Sequence, residues 1–444
     1  MDSYLTRCSS STHTLSVVEC FLFQQHPFRN YYFIISRKMA RCFQGWVFLL
    51  AALVLALSTP CSHAHLKHKK FKTKTGVYLS PKFVLEPGLS SSKYFYNVHF
   101  PKGHIALKSF NAEVIDEEGN SSPLHEVYLH HWIVERYYAR IGYVEPEQQL
   151  PLQLSESDVI WLRNSGMCQN GALGQYFGLG SETRKTATDV PGHYGIEVGD
   201  GKGVPDGFEE RWMLNVHAID TRGVEDDLGC TECRCDMYNV SRDQSGQPLP
   251  AGYTGGLTCC PDGAKCRLKQ GFDGEKKNHY LRYTVKWVDW SESVVPVKVY
   301  ILDVTDRMNH SAPTGAKHNC LVEYDVEKSC NATNGCLDNK WAKITMPTGG
   351  HVIYGVAHQH RGGLGSTLHG EDGRVLCSST PIYGKGKEAG NEAGYIVGMT
   401  TCYPWPGSVK IKDGETLTVV SNYESTQLHS GVMGLFYILV AETL

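Results

Sequence analysis

Residues 281–287, LRYTVKW, set Leu281, Tyr283, Val285 and Trp287 on one face of an extended chain and Arg282, Thr284 and Lys286 on the other. Successive side chains leave a pleated strand on opposite sides, so this period of two is what a strand with one buried face requires. The same reading predicts strands over 105–115, 127–134, 211–219, 297–304, 351–360, 416–421 and 432–440, separated by Gly- and Pro-rich turns. No long segment has helical spacing, and no internal repeat is visible. The expected class is all-β, with two antiparallel, jelly-roll-like β-sandwich domains over 65–303 and 304–444.

A chain of 444 residues that is 41% hydrophobic can bury a sizeable core. Its net charge of −3 offers no footprint for nucleic acid, which directs attention to small-molecule or peptide partners. The apolar run 46–58, WVFLLAALVLALS, follows Arg37, Lys38 and Arg41 and reads as a secretory signal. It is shorter than the ~20 residues that a membrane span needs. Residues 39–64 are therefore expected to be a signal peptide beginning at Met39 and cut near Ser62-His63-Ala64, with 1–38 an extension of doubtful meaning. An uncleaved anchor is the alternative, and only then would the membrane be a partner. Residues 65–75, HLKHKKFKTKT, are expected to form a solvated basic arm.

Of 16 cysteines, Cys8, Cys20, Cys42 and Cys61 precede that cut, and the remaining twelve read as disulfides in an exported chain. Cys230, Cys233, Cys235, Cys259, Cys260 and Cys266 crowd into 223–279, a polar, Gly-rich stretch that reads as a disulfide-stapled insertion. Zinc held by thiolates is the alternative for the same spacing. Cys377 and Cys402 flank a Gly-rich loop and are a candidate pair. Sequons at Asn120, Asn239, Asn309 and Asn331 suit glycosylation on the same route.

Four places carry ligand-type side chains. In HVIYGVAHQH, His358 and His360 lie two apart, hence on one face, the side of Val352, Tyr354 and Val356. Two structural histidines would satisfy that spacing equally well. In GVMGLFYILVA, Met433 shares a face with Leu435, Tyr437 and Leu439, where core packing is the commoner role. A thioether beside two imidazoles would nonetheless suit Cu(I). His130 and His131 are adjacent in VYLHHWIV, so they can bind one metal only where the strand twists, bulges or ends. In RWMLNVHAID, His217 lies on the face of Arg211, Met213 and Asn215.

Taken in order, HHW, LNVHAID, AHQH and GVMGLFYI resemble the ascorbate-dependent type II copper monooxygenases, the peptidylglycine- and dopamine-hydroxylating enzymes. The resemblance spreads as scattered motifs from about Gly76 to the C-terminus. At a finer grain the chain resembles the plant stress up-regulated nodulin family. The first resemblance implies two coppers per chain, one on His130, His131 and His217 as an electron store, and one on His358, His360 and Met433 that binds oxygen. It implies ascorbate as reductant and a substrate-side role for Tyr437. Two residues depart from the pattern: Val356 stands where the amidating enzymes carry a substrate-anchoring Arg, and Trp132 where Met follows the His pair.

The expected function is a secreted copper-dependent monooxygenase acting on a C–H bond of a small molecule or peptide. One alternative is a non-catalytic copper-binding or structural wall protein. Another is a disulfide-rich interaction module whose histidines are structural.

Overall fold

Residues 281–287 fall inside the strand Lys277–Asp289, which pairs antiparallel with Ile105–Ile115 on one side and Lys74–Leu79 on the other. Its apolar face is buried as the alternation requires, through Leu281, Tyr283 and Val285. The structure is a computed structural model that describes residues 72–147, 150–166, 168, 174, 176–307, 318–329 and 335–442. The apolar run 46–58, the cut site, Cys8, Cys20, Cys42, Cys61, Asn309 and Asn331 lie outside the described residues. Asn120 and Asn239 are both exposed.

The fold is all-β, and every strand expected from the alternation is present. Two sheets are built from residues before 297. The first runs Lys74–Leu79, Lys277–Asp289, Ile105–Ile115, Tyr194–Val198, Val295–Pro296, with Phe83–Leu85 added. The second runs Ser90–Phe95, Phe208–Asp220, Val127–Arg140, Val159–Leu162, with Phe177–Leu179 added. From Lys298 onward, one sheet runs Lys298–Asp303, His429–Ala441, Gly350–Gln359, Lys410–Ile411, with Glu323–Val326 added. Another runs Leu337–Thr345, Thr416–Glu424, Gly363–His369, Val375–Ser379. Among the described residues no sheet mixes strands from the two halves. A single apolar core nevertheless includes Phe110 and Trp132 from the first half and Tyr354 and Leu439 from the second. The Tyr354 hydroxyl donates to the Ala187 carbonyl across that boundary at 3.1 Å.

The basic arm is shorter than expected. Lys74 and Thr75 open a strand and face Trp287 and Lys286 in its register, while Lys74 Nζ lies 2.7 Å from Asp289. Ladder hydrogen bonds tie down this end of the run, where charge composition alone suggested solvent; residues 65–71 are outside the described set.

Residues 223–279 carry two short helices, Asp227–Thr231 and Cys235–Tyr238. The first is capped by Asp226, whose carboxylate accepts from the Gly229 N–H at 3.0 Å. The insertion is stapled by Cys230–Cys266, Cys233–Cys260 and Cys235–Cys259, so its thiolates are not free for zinc. Cys377 pairs with Cys402, next to Gly355, where a Cβ would come within 2.8 Å of Cys377 Sγ. Cys168–Cys320 links the two halves covalently. Non-reducing peptide mapping of the purified chain should recover these five pairs, and alkylation of any of the six insertion cysteines without reduction would contradict the staple.

Candidate metal centre

The adjacent histidines are resolved by a bulge. Leu129 faces Ala218 and His131 faces His217, so His130 is the extra residue that has no partner in the ladder. A bulge breaks the strict alternation and re-aims the side chain it carries. One ring nitrogen from each of His130, His131 and His217 lies within 4.8 Å of the others. The Nδ1 atoms of His130 and His131 are 3.4 Å apart.

Neighbouring groups fix which nitrogens hold protons. The Asn215 amide NH2 donates to the Lys93 carbonyl at 3.0 Å, which turns its Oδ1 toward His131 Nε2 at 2.8 Å. His131 therefore carries its proton on Nε2 and keeps the Nδ1 lone pair. Ser90 Oγ donates to the Cys260 carbonyl at 2.7 Å and so accepts from His217 Nε2 at 2.9 Å. His217 Nδ1 is left buried with no hydrogen bond among the described residues. Metal-ligating histidines are commonly oriented in this way, through the nitrogen that does not bind. The Cys233–Cys260 disulfide holds the carbonyl at the end of the second relay, and its sulfurs lie within 4.8 Å of the His217 ring nitrogen.

The second set is close to the first. The rings of His130 and His360 are 4.9 Å apart between centroids and those of His358 and His360 5.2 Å. His358 Nδ1 meets Glu182 Oε1 at 2.5 Å, while Glu182 Oε2 accepts from the Gly180 N–H at 3.0 Å. This carboxylate is fully buried and comes from the short 3-10 helix Ser181–Arg184 in the first half. It holds the proton of His358 on Nδ1 and leaves Nε2 as the available lone pair. Gly180 makes room for the contact, since a Cβ there would lie 3.2 Å from the His358 ring and 2.5 Å from the His130 carbonyl.

His360 is 2% exposed, and among the described residues neither of its ring nitrogens has a hydrogen-bond partner. An unmet buried polar group carries a penalty of roughly 1–3 kcal/mol. The backbone around it is tightly held: the His360 N–H donates to the Tyr423 hydroxyl at 2.7 Å, which donates to the Met433 carbonyl at 2.7 Å. Met433 lines a void of about 30 Å³ together with His131, His358, Leu435 and Tyr437. That space suits a molecule the size of water or O2. Val356 faces Tyr437 directly in the ladder. Trp132 points the other way, into the core, where its ring packs 4.9 Å from Phe110 and its Nε1 donates to Thr183 Oγ1 at 3.1 Å.

All six residues read from the sequence as ligands thus gather in one region as five imidazoles and a thioether, with Tyr437 beside them. Sequence reading missed Glu182, Ser90, Asn215 and Tyr423 as supports. Only Asn215 carried a signal, by sharing the face of His217 two residues away. It also missed His429, which is buried beneath the 360–362 turn with Nδ1 2.6 Å from Glu232 of the insertion. Burial alone would lower the pKa of His429, but Glu232 and Glu424 outweigh it and raise it.

Burial, reinforced by neighbouring imidazoles, pushes His130, His217 and His360 well below the ordinary histidine value, and burial lowers His131 to about 4. These four rings are therefore neutral at neutral pH, as metal ligation requires. Between the ordinary value of about 6.5 and 4, unfolded His131 binds a proton that folded His131 refuses. The metal-free protein should accordingly lose stability as pH falls through that window. Thermal melts of the parent and His131→Asn at stepped pH should show a shallower decline in the variant, and identical slopes would contradict the burial of this ring.

Among solved structures, the chain is similar to the VP2 subviral particle of infectious bursal disease virus at 11% identity and TM-score 0.18, covering 84% of this chain and 73% of that one. It is similar to the mosquito-larvicidal Cry4Aa toxin from Bacillus thuringiensis at 8% identity and TM-score 0.17, covering 76% and 58%. It is similar to a chain of the Sputnik virophage at 7% identity and TM-score 0.19, covering 83% and 85%. Scores this low carry no argument. No curated protein matches the chain. A family model described as stress up-regulated Nod 19 matches residues 71–443.

Proposed function

The chain belongs to the stress up-regulated Nod 19 family, whose description names no reaction, and from that premise we propose a function read from the histidines. The protein is a secreted copper-dependent monooxygenase that hydroxylates a C–H bond of a small molecule or peptide with O2 and ascorbate. The observation that carries this reading is His360, a buried imidazole whose two nitrogens are unmet among the described residues and which lies amid four others. The residues fit copper. Imidazole suits Cu(II), and the thioether of Met433 on the void shared with His358 suits Cu(I).

His130, His131 and His217 would hold one copper and His358, His360 and Met433 the other, and the pair would supply the two electrons that the reaction needs beyond the substrate's own. The chain's residues supply the setting. Asn215, Ser90 and Glu182 aim three lone pairs inward, and the apolar walls of the small void exclude bulk water. Glu182 acts through His358 as a positioning residue. Five disulfides support an oxidising compartment, and with the charged-then-apolar stretch 37–58 they support secretion into the extracellular space.

A second reading, a copper-binding wall protein without catalysis, is favoured by Val356, which gives the site no cationic anchor for a substrate carboxylate. The secreted chain, loaded with copper, should hold two coppers and consume O2 with ascorbate across a panel of peptides and small molecules. Met433→Ala should abolish the uptake. Copper without uptake would leave the second reading standing, and no copper would remove both. Glu182→Ala should weaken one of the two coppers about 10- to 100-fold in titrations, as loss of such a support commonly does; equal loss at both would contradict its assignment to His358.

A further inference from the structure

A cleft of about 570 Å³ opens on two of the first trio, His131 and His217, along the sheet that holds them. Its floor follows the strand alternation: His131, Ile133 and Glu135 from one strand face His217, Asn215 and Met213 from the next. Tyr94 from Ser90–Phe95 continues the floor, and Leu257 and residues 260–262 of the insertion form a wall. Four residue steps of strand lead from His131 to Glu135, a length of about 13 Å. The size lies within the range of small-molecule pockets. The void at Met433, at about 30 Å³, has no such room.

The chemistry changes along that length. Imidazoles stand at one end, Ile133 and the ring of Tyr94 flank Asn215 in the middle, and Met213 lies opposite Glu135 toward the far end. At the far end Glu135, 4% exposed, pairs with Arg163. The wall residue Asp262 is likewise paired, with Lys93 at 2.7 Å. While Glu135 is ionised, each charge lining the cleft has its counter-charge among the described residues, so an ionic ligand finds no unpaired partner there, whereas a neutral hydroxyl could accept from Arg163 or donate to Glu135. Burial, opposed by Arg163, pushes the Glu135 carboxyl up to about 7. Near neutral pH it can therefore both donate and accept.

We infer that this cleft binds a neutral aromatic hydroxy compound, its ring on Ile133, Met213 and Tyr94, its hydroxyl at the Glu135–Arg163 pair, and its other end against His131 and His217. The inference does not require copper, because the cleft is made of protein side chains alone. It goes beyond the proposed reaction by giving an organic ligand a place on the side of the first trio.

The test uses the full-length secreted protein stripped of metal, with 4-hydroxybenzyl alcohol as probe. Benzoate and benzylamine serve as charged controls, and galactose as a hydroxylated control without an aromatic ring. Calorimetry and saturation-transfer NMR should show binding of the phenol at least tenfold tighter than any control. Ile133→Arg, which fills the middle of the cleft, should weaken it at least tenfold. Glu135→Gln, similar in size, should weaken it severalfold and remove its pH dependence near neutrality. Failure of the phenol to bind, equal binding of a control, or undiminished binding to both variants would overturn the inference. Because no metal is present, such a failure leaves the copper reading untouched, and absence of copper leaves this result untouched.

Discussion

The site depends on a single extra residue in one strand. In a regular ladder His130 and His131 would project from opposite faces of the sheet, one toward the core and one toward the cleft. The bulge between Leu129 and His131 leaves His131 opposite His217 and brings His130 round to both. Beyond it the alternation resumes, sending Trp132 and Val134 into the core and Ile133 and Glu135 to the cleft. One irregularity therefore serves both the packing of the first half and the convergence of three imidazoles.

That convergence opposes the ordinary stability of a protein interior. Five imidazoles share a region from which water is largely excluded, and burial, with the neighbouring rings after it, lowers the tendency of His130 and His360 to take a proton. The surrounding chain offsets the strain by fixing tautomers from outside, with an amide at His131, a hydroxyl relay at His217 and a carboxylate at His358. His360 has no such support among the described residues, and both of its ring nitrogens are left with lone pair or proton unmet. The supports come from distant parts of the chain. Glu182 reaches from the first half to a histidine of the second, and the Cys233–Cys260 staple positions the carbonyl that ends the His217 relay. Cys168–Cys320 and the Glu232–His429 contact bind the same boundary. The Cys-rich insertion is thus a structural part of the site's frame.

Much of this was legible in the sequence because strand periodicity is local. The faces of residues 281–287, of His358 and His360, and of Met433 and Tyr437 follow from counting by two. The need for a bulge at His130 followed from the same count, although its presence did not. Trp132, a departure with no sequence explanation, proves to be a core residue hydrogen-bonded to Thr183. What could not be read was long-range: Glu182 and His358 are separated by 176 residues, and Ser90 and His217 by 127. The closeness of His130 to His360 was hidden for the same reason, since it arises from packing two sets of sheets on one core. The end of the basic run misled because its lysines are also good strand-edge residues.

The central claim is that these buried imidazoles and Met433 are ligands. X-ray absorption at the copper edge, on reduced copper-loaded protein, reports the ligand atoms directly. The account predicts imidazole scattering together with a sulfur shell that disappears in Met433→Ala. A spectrum of oxygen ligands without imidazole, or a sulfur shell that survives that substitution, would contradict it.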